Sequence, residues 1–240
     1  QFFVRHRAVS PRYDTKADWE IISGLARSMD LPALAFDSIE DIWNFQLQGT
    51  GISPEDFSAT GMVSLADKPE YLDFADYPFK TPSGRIEIIS RDLEKNGISS
   101  LKPYESPENP GENRFRLTFG RCAVHTQGHT VNNPFLFEQM PENVLWINDR
   151  QADKLGISDG DRVHVSQNGY SESIKTKVTE MIHPDAVFVV HGFGHRLPVE
   201  SRACNRGLAD NRFMAGGMEK WDKAGGALAF QEHFVTVTPA

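Results

Sequence analysis

Cysteine is scarce in this sequence, and that scarcity excludes several classes of protein. The 240 residues contain only two cysteines, Cys122 and Cys204, and neither belongs to a Cys-x-x-Cys pair. Two thiols are too few for the disulfide framework of a small secreted domain, and their spacing is not that of a redox or zinc motif. They could form one bridge, but we expect two free thiols.

The sequence also lacks an excess of positive charge and any long apolar run. The formal net charge is −8, and no basic stripe could neutralise a nucleic-acid backbone. No apolar run approaches the roughly 18 residues of a membrane span. The first residues, QFFVRHRAVSPRYD, lack the continuous apolar core of a signal peptide. We therefore expect no nucleic-acid partner and no direct membrane insertion. Because the chain begins with Gln1 rather than Met, we expect a fragment or a processed product.

The first hundred residues carry helical patterns. Apolar residues recur every four positions and predict one helix face, made of Ala17, Ile21, Leu25 and Met29. Asp14 or Thr15 could cap that helix, and Ser38 with Asp41 forms a variant of the capping box for a second one. A short strand is predicted around Ile86. We interpret residues 1–101 as the mainly helical tail of a preceding domain.

A proline-rich stretch separates this part from the rest. Residues 102–112, KPYESPENPGE, contain three prolines, a glycine and several acids, which is the composition of a linker. After it the apolar period changes from helical to alternating. Asn148 or Asp149 can cap a short helix that stops at Gly156, and Asn168-Gly169 is a strong hairpin signal. Five or more short strands with one small helix predict that residues 113–240 form a closed β-barrel.

Several stretches of this second part resemble one family. FRLTFGRCAVHTQGHTVNNPFL, VLWINDRQADKLGISDGDRVHVSQNGYSESIKTKV, HGFGHR and ADNRF are similar to the C-terminal domain of molybdopterin-dinucleotide oxidoreductases, the dimethyl-sulfoxide-reductase superfamily. TPSGRIEIIS is similar to the Ser-Gly-Lys-Ile-Glu segment that precedes this domain. The resemblance implies a double-psi β-barrel preceded by a mainly helical segment. The HGFGH and ADN motifs look most like the catalytic subunits of polysulfide and thiosulfate reductases.

The resemblance also implies a cofactor, partners and a location. The cofactor would be bis-(molybdopterin guanine dinucleotide) with molybdenum or tungsten, and the substrate a sulfur compound such as thiosulfate or polysulfide. The cysteine motif for an iron–sulfur cluster and the protein ligand of the metal do not occur in this sequence. We therefore expect no catalytic residue and no metal ligand here, and no activity from these residues alone. The implied partners are the rest of the catalytic subunit, an iron–sulfur electron-transfer subunit and a membrane-anchor subunit, and the implied location is periplasmic or membrane-associated in a prokaryote.

The stretch FGRCAVHTQGHT, residues 119–130, allows three interpretations. His125 and His129 have the spacing of zinc ligands on a helix, but Gly128 and the β-branched residues that follow disfavour a helix. Cys122 and His125 could form a nucleophilic pair, although no such signature surrounds them. The third interpretation is a loop that binds an anionic dinucleotide. Gly120 would allow close backbone approach, and Arg121 would supply a guanidinium for the pyrophosphate.

By resemblance we assign cofactor binding to three motifs and one further residue. In the first motif Phe119 replaces the commoner Thr, so position 119 need not contact the cofactor. HGFGHR could equally be a tight barrel corner, and ADN could be an Asx-turn. The predicted cofactor-binding residues are Gly120, Arg121, His125, Thr126, Gln127, His129, Thr130, His191, Gly192, Phe193, Gly194, Asp210, Asn211 and Gln231.

Two other functions compete with this interpretation. A free-standing double-psi barrel could act as a binding or adaptor module, and a small hydrolase could use Cys122 with His125. The segment TPSGRIEIIS favours the oxidoreductase, because an isolated barrel has no reason to carry it.

Overall fold

A computed structural model describes most of the chain. The described residues are 1–57, 61–65, 71, 73–101, 103–167, 169–197, 201–214, 221–228 and 232–240. The chain divides into two compact units, Gln1–Ile86 and Glu87–Ala240. The described part of the chain has no helix that is both long and apolar enough to cross a membrane.

The regular structure of the first unit is mainly helical. Helices α1 (Asp18–Ser28) and α2 (Ile39–Leu47) are accompanied by a short antiparallel pair, β1 (Phe2–Phe3) with β2 (Met62–Val63). The capping box of α2 is confirmed, because Ser38 Oγ accepts from the Asp41 N–H and Asp41 accepts from the Ser38 N–H. Ala17 precedes α1, so the predicted caps Asp14 and Thr15 are wrong. The Glu20 carboxylate in the first turn instead accepts from the N–H of Ala17, at 2.6 Å.

The apolar face predicted on α1 is exposed in this unit. Ile21, Leu25 and Met29 are each more than half exposed, whereas Ser23 and Ala26 are the buried residues of the helix. The strand predicted around Ile86 is also wrong, since residues 81–90 form turns and bends. Ile86 is exposed there, so no sheet face takes up its side chain.

The second unit contains a closed six-stranded barrel. After helix α3 (Arg91–Lys95), its elements are β3 (Arg114–Gly120), α4 (Pro134–Gln139), β4 (Leu145–Ile147), α5 (Asp149–Leu155), β5 (Arg162–Gln167), β6 (Tyr170–Val178), β7 (Ala186–Val190) and β8 (Phe234–Pro239). The strand order around the barrel is β3-β7-β4-β6-β5-β8. The predicted β-barrel is therefore confirmed.

The strand pairing has an internal two-fold pattern. The pairs β3/β7 and β4/β6 are parallel, and the other four neighbouring pairs are antiparallel. If β3, β4 and β5 are exchanged with β6, β7 and β8, every pair maps onto a pair with the same direction. Two crossed parallel pairs related in this way are the topology of a double-psi β-barrel.

Alternating apolar residues fill the barrel interior. Val163 and Val165 on β5 are fully buried, and His164 between them is exposed, as the alternation predicts. Inward-facing side chains from all six strands form one continuous core, which a closed barrel requires. The fully buried members are Leu117, Leu145, Ile147, Val163, Val165, Ile174, Leu208, Val187, Val189, Val235 and Val237.

Two local signals of the barrel behave as predicted. Asn148 caps α5 with its side chain, and Gly156 ends the helix in the left-handed region at φ 66°. The hairpin between β5 and β6 closes with Gln167 opposite Tyr170. Residues 103–112 have no regular secondary structure and belong to the second unit by their contacts. The proposed domain boundary at 102–112 remains a prediction.

Candidate functional site

A cleft of about 400 Å³ opens where three of the predicted segments meet. Strands β3 and β7 are parallel and end side by side, with Gly120 opposite Val190. The segments that follow both strands therefore begin at the same edge of the barrel, and the turn at 210–213 joins them there. The lining residues are Gln127, Gly128, His129, His191, Gly192, Phe193, His195, Asp210 and Asn211.

The loop after β3 is held together by its own side chains. His125 is buried, and its Nε2 lies 2.9 Å from the Met140 carbonyl oxygen. Its Nδ1 lies 3.2 Å from the Thr130 hydroxyl, which also accepts from the Thr126 N–H. One ring nitrogen thus contacts the loop itself, and the other contacts the C-terminal end of α4. This arrangement gives His125 and Thr130 a clear role in shaping the loop, in addition to the cofactor contact predicted for them.

The tip of this loop forms one wall of the cleft. Gln127–His129 is a single 3-10 turn, so His125 and His129 do not share an α-helical face as zinc ligands four residues apart would. Gln127 has φ of 49°, a left-handed conformation that is uncommon for a residue other than glycine. Within the described residues, no group of three or more His, Cys, Asp or Glu side chains could hold a metal ion.

The two glycines of HGFGHR make room for neighbouring backbone. Gly192 has φ of 102°, and a Cβ there would lie 2.5 Å from the carbonyl carbon of Gln127. A Cβ on Gly194, with φ of 78°, would overlap the backbone of Ala209. Glycine is therefore required at both positions to bring the three segments together. The barrel-corner interpretation explains these glycines, while Gly192 also lines the cleft.

His191 and Asp210 form a hydrogen-bonded pair between the first residue after β7 and the third segment. His191 Nδ1 lies 2.9 Å from Asp210 Oδ1 and 2.7 Å from Oδ2. Asp210 is almost fully buried, and the side chain of His191 is 32% exposed. The ring of Phe119 packs against that of His191 with centroids 5.5 Å apart. The position at which this sequence departs from the family motif therefore supports a histidine of the cleft.

Sequence reasoning missed three residues that shape the site. Gly128 and His195 line the cleft, and His195 Nε2 lies 3.2 Å from the Gly192 carbonyl oxygen. Asn143 is fully buried and ties two walls together. Its Nδ2 donates to the carbonyl oxygens of Val190 and Leu208, and its Oδ1 accepts from the Leu208 N–H. The motif HGFGHR itself pointed to His195, whereas an asparagine just before a strand gives no signal of a buried clamp.

The remaining predicted residues lie beside the cleft or outside the described residues. Gly120 ends β3, and its carbonyl oxygen accepts from the His191 N–H. Arg121 and Thr126 are exposed and do not line the cleft. Gln231 falls outside the described residues. Two residues later, burial lowers the pKa of His233, and the charge of Glu232 opposes this shift.

Comparison with known proteins relates the barrel to a cofactor-binding domain. Residues 115–224 match the family model described as "Molydopterin dinucleotide binding domain". The chain is 26% identical over 235 residues to the thiosulfate reductase molybdopterin-containing subunit PhsA of Salmonella typhimurium, covering 86% of this chain and 31% of that protein. It is 23% identical over 217 residues to the dimethyl sulfoxide/trimethylamine N-oxide reductase of Cereibacter sphaeroides, covering 78% and 26%.

A solved structure shows the same fold over nearly the whole chain. Acetylene hydratase from Pelobacter acetylenicus superimposes with a TM-score of 0.73 at 19% identity, covering 99% of this chain and 35% of the hydratase. This likeness concerns the fold alone. The chain spans about a third or less of the length of each of these three proteins. The matched domain and the two sequence relatives support an assignment of the chain to a C-terminal part of a molybdopterin-dinucleotide oxidoreductase of the dimethyl-sulfoxide-reductase superfamily.

Proposed function

We propose that the cleft at the ends of β3 and β7 binds part of a molybdopterin guanine dinucleotide. The observation that carries the proposal is the convergence of three separate motifs, 127–129, 191–195 and 210–211, on one cavity. The first motif lies more than 60 residues from the other two along the chain, and the family resemblance implies that all three contact the cofactor. A shared cavity is the simplest geometric reason for their chemistry to occur together.

The residues that line the cleft suit a heterocyclic ligand that both donates and accepts hydrogen bonds. The volume of about 400 Å³ lies within the roughly 300–1,000 Å³ typical of small-ligand sites. Imidazole and amide side chains supply both donors and acceptors, as the edge of a pterin requires. No Lys or Arg occurs among the described residues that line the cleft, so the lining suits a pterin better than phosphates. Arg121, beside the cleft, is our candidate for the anionic part of the cofactor.

The complete enzyme would carry out redox chemistry at the metal. When bound, the cofactor supplies a molybdenum or tungsten centre for two-electron transfer, while the protein orients it and tunes its electronics. We propose bis-(molybdopterin guanine dinucleotide) as its form and a sulfur compound such as thiosulfate or polysulfide as substrate. The similarity to a protein named thiosulfate reductase supports this choice of substrate.

Partners and location follow from the same proposal. The barrel would contact the rest of the catalytic subunit, and that subunit would exchange electrons with an iron–sulfur subunit held by a membrane anchor. An iron–sulfur cluster within the catalytic subunit would be bound by residues outside this sequence. We propose a periplasmic or membrane-associated location for the assembly, as the resemblance of its motifs to this family implies.

A substitution that fills the cleft tests the binding site. Gly128 has no left-handed φ, and a Cβ there would lie 3.4 Å from His195 Nε2, an ordinary contact distance. In the full-length enzyme, Gly128→Phe would project a ring into the cavity and should reduce molybdopterin content by at least about tenfold, which corresponds to about 1.4 kcal/mol. Gly128→Ala should cause a much smaller loss, because its methyl group occupies little of the cavity. The measurement is the pterin released per purified protein.

A second phenylalanine in the same loop provides the control. Ala123 is exposed and does not line the cleft, so Ala123→Phe adds the same ring without filling the cavity. Molybdopterin content should then equal that of the wild type, and melting curves should be similar for all three variants. Full cofactor content in Gly128→Phe would refute the proposal and favour an adaptor barrel.

A further inference from the structure

The buried carboxylate of Asp210 contacts one ring nitrogen of His191, a histidine that lines the cleft. Asp210 is 1% exposed, and both of its oxygens lie within 2.9 Å of His191 Nδ1. A carboxylate accepts hydrogen bonds, so the approach of both oxygens to Nδ1 favours the tautomer of His191 with the ring proton on Nδ1. In the neutral imidazole Nε2 then carries a lone pair and acts as an acceptor. His191 therefore has a defined polarity on the side of the ring away from Asp210.

The orientation of the ring is fixed from several directions. The Phe119 ring packs against the face of His191, and the His191 N–H donates to the Gly120 carbonyl oxygen at 2.9 Å. Asn143 joins the carbonyl oxygen of Val190, directly before His191, to both backbone groups of Leu208, two residues before Asp210. The two members of the pair are thus held by buried hydrogen bonds, and the ring has little freedom to rotate.

We propose that Asp210 is a positioning residue that fixes the tautomer of His191, so that Nε2 accepts a hydrogen bond from an N–H group of a pterin ring. This inference rests on the proposed function of the cleft. A lone pair on Nε2 matches a ring that carries N–H donors and does not match a phosphate oxygen, which is itself an acceptor. The pair therefore selects the heterocyclic part of the cofactor.

An isosteric substitution of Asp210 can change His191 Nε2 from an acceptor into a donor. In Asp210→Asn the amide keeps the shape of the carboxylate, and its NH₂ group can donate to Nδ1, which moves the ring proton to Nε2. In the catalytic triad of serine proteases the corresponding Asp→Asn change preserves the geometry but gives the wrong histidine tautomer, and activity falls steeply. His191→Phe keeps a ring but removes both nitrogens. Asp210→Asn would present a donor to the cleft, whereas His191→Phe presents no ring nitrogen at all. The two variants therefore distinguish control of the tautomer from a purely structural role of the pair.

The test follows release of molybdopterin from the full-length enzyme at pH 8, where a histidine side chain is ordinarily neutral. Each single variant should release the cofactor about tenfold faster than the wild type. Asp210→Asn should release it at least as fast as His191→Phe, because a donor then faces a donor. The double variant should release it at the rate of His191→Phe alone, because no ring nitrogen remains for residue 210 to control.

The melting temperatures of the two variants show how much each substitution affects stability alone. Asp210→Asn retains a hydrogen bond to the ring, so it should lower the melting temperature less than His191→Phe does. A structural pair would give this same order in both measurements, with Asp210→Asn the milder variant, and that result would overturn the proposal. The exposed pair His183 and Asp185, with 3.9 Å between Nδ1 and Oδ2, supplies the matched control. Asp185→Asn should change neither quantity.

Two further outcomes separate this inference from the proposed function. If Gly128→Phe removes the cofactor while release is unchanged in both Asp210→Asn and His191→Phe, the cleft binds cofactor but the pair does not contact it, and the inference is wrong. If Gly128→Phe also retains full cofactor, the proposed function fails and the inference fails with it. Additive effects of the two substitutions on release would likewise show that Asp210 does not act through His191.

Discussion

The two units of this chain differ most in where their apolar side chains lie. The barrel of the second unit buries an interior supplied by all six strands. Among the described residues of the first unit, only Ala26 and Leu47 are buried apolar residues. Most of the large apolar side chains that are exposed in the chain belong to this first unit, including Ile21, Ile22 and Leu25 on α1. One unit thus has a core of its own, and the other presents apolar surface.

This difference has a direct physical meaning. Burial of apolar surface is the main favourable contribution to folding, at roughly 25 cal/mol per Å². The closed barrel also pairs the backbone of its strands without leaving an edge, whereas β1 and β2 form an isolated two-residue pair. Large exposed apolar patches usually mark surfaces that contact other protein. We therefore expect the barrel to fold by itself and the first unit to require further contacts for stability.

Separating the two units should give the largest effect. A protein of residues 87–240 should unfold in one cooperative thermal transition, because its core is complete within those residues. A protein of residues 1–86 should show no cooperative transition, because the two apolar residues that are buried among its described positions cannot offset its conformational entropy, about 1–2 kcal/mol per residue for the backbone alone. Differential scanning calorimetry measures both, and the 240-residue chain should show the transition of the barrel.

The opposite outcome would remove the basis of the comparison. A sharp, reversible transition in residues 1–86 would mean that this unit has a sufficient core. Loss of the transition in residues 87–240 would mean that the barrel depends on the first unit. Either result would contradict our interpretation of where stability resides.

A matched pair of leucine substitutions sharpens the comparison at single residues. Leu145 on β4 is 0% exposed, and Leu25 on α1 is 59% exposed. In the 240-residue chain, Leu145→Ala should lower the free energy of unfolding by about 2–5 kcal/mol, because it removes buried surface and leaves a cavity. Leu25→Ala should change it by less than about 0.5 kcal/mol. Denaturant unfolding followed by tryptophan fluorescence checks both values.

The pair is informative because the chemical change is identical. Any difference between the two variants reflects the environment of the leucine and not the size of the deletion. Similar losses for both would show that the exposed face of α1 is packed in solution, so that the first unit is more complete than its burial indicates. A small loss for Leu145→Ala would show that the barrel interior can collapse into the cavity.

The same contrast explains which features the sequence could predict. In the barrel, the alternation at Val163 and Val165 and the hairpin between β5 and β6 were predicted correctly, because both signals reflect local backbone preferences. Asn168 of the hairpin signal lies outside the described residues. In the first unit the alternation around Ile86 suggested a strand, but no partner strand is present for it among the described residues, and the segment forms turns. A periodic pattern identifies a face. It cannot identify what covers that face.

The candidate site shows a similar division. Motif content predicted the segments that line the cleft, because histidine, amide and glycine clusters at strand ends are local features. Asn143 could not be predicted, since its hydrogen bonds reach residues 47 and 65 positions away. His125 was predicted for its chemistry, and the structure shows that its ring nitrogens contact Thr130 of the same loop and Met140 at the end of α4.

Arg121 should give the smallest effect on folding and a specific effect on binding. It is exposed, directly follows β3 and contributes nothing to the barrel core, so Arg121→Ala should leave the melting temperature of the full-length enzyme unchanged. We expect its guanidinium to pair with an anionic oxygen of the cofactor, and a charge-assisted hydrogen bond is worth roughly 1.5–3 kcal/mol. Cofactor retention should therefore fall by at least about tenfold.

Two further variants test whether the effect is specific to the guanidinium group and to position 121. Arg121→Lys should recover only part of the retention, because an ammonium group cannot make the planar two-point contact of a guanidinium. Arg150 is an exposed arginine on α5 that does not line the cleft, so Arg150→Ala should retain the cofactor as the wild type does. Pterin content per purified protein and a melting curve are measured for each.

Full retention in Arg121→Ala would mean that the anionic part of the cofactor is bound elsewhere. Unfolding of that variant would mean that an exposed residue carries barrel stability, which would contradict the distinction between core and surface drawn from Leu145 and Leu25.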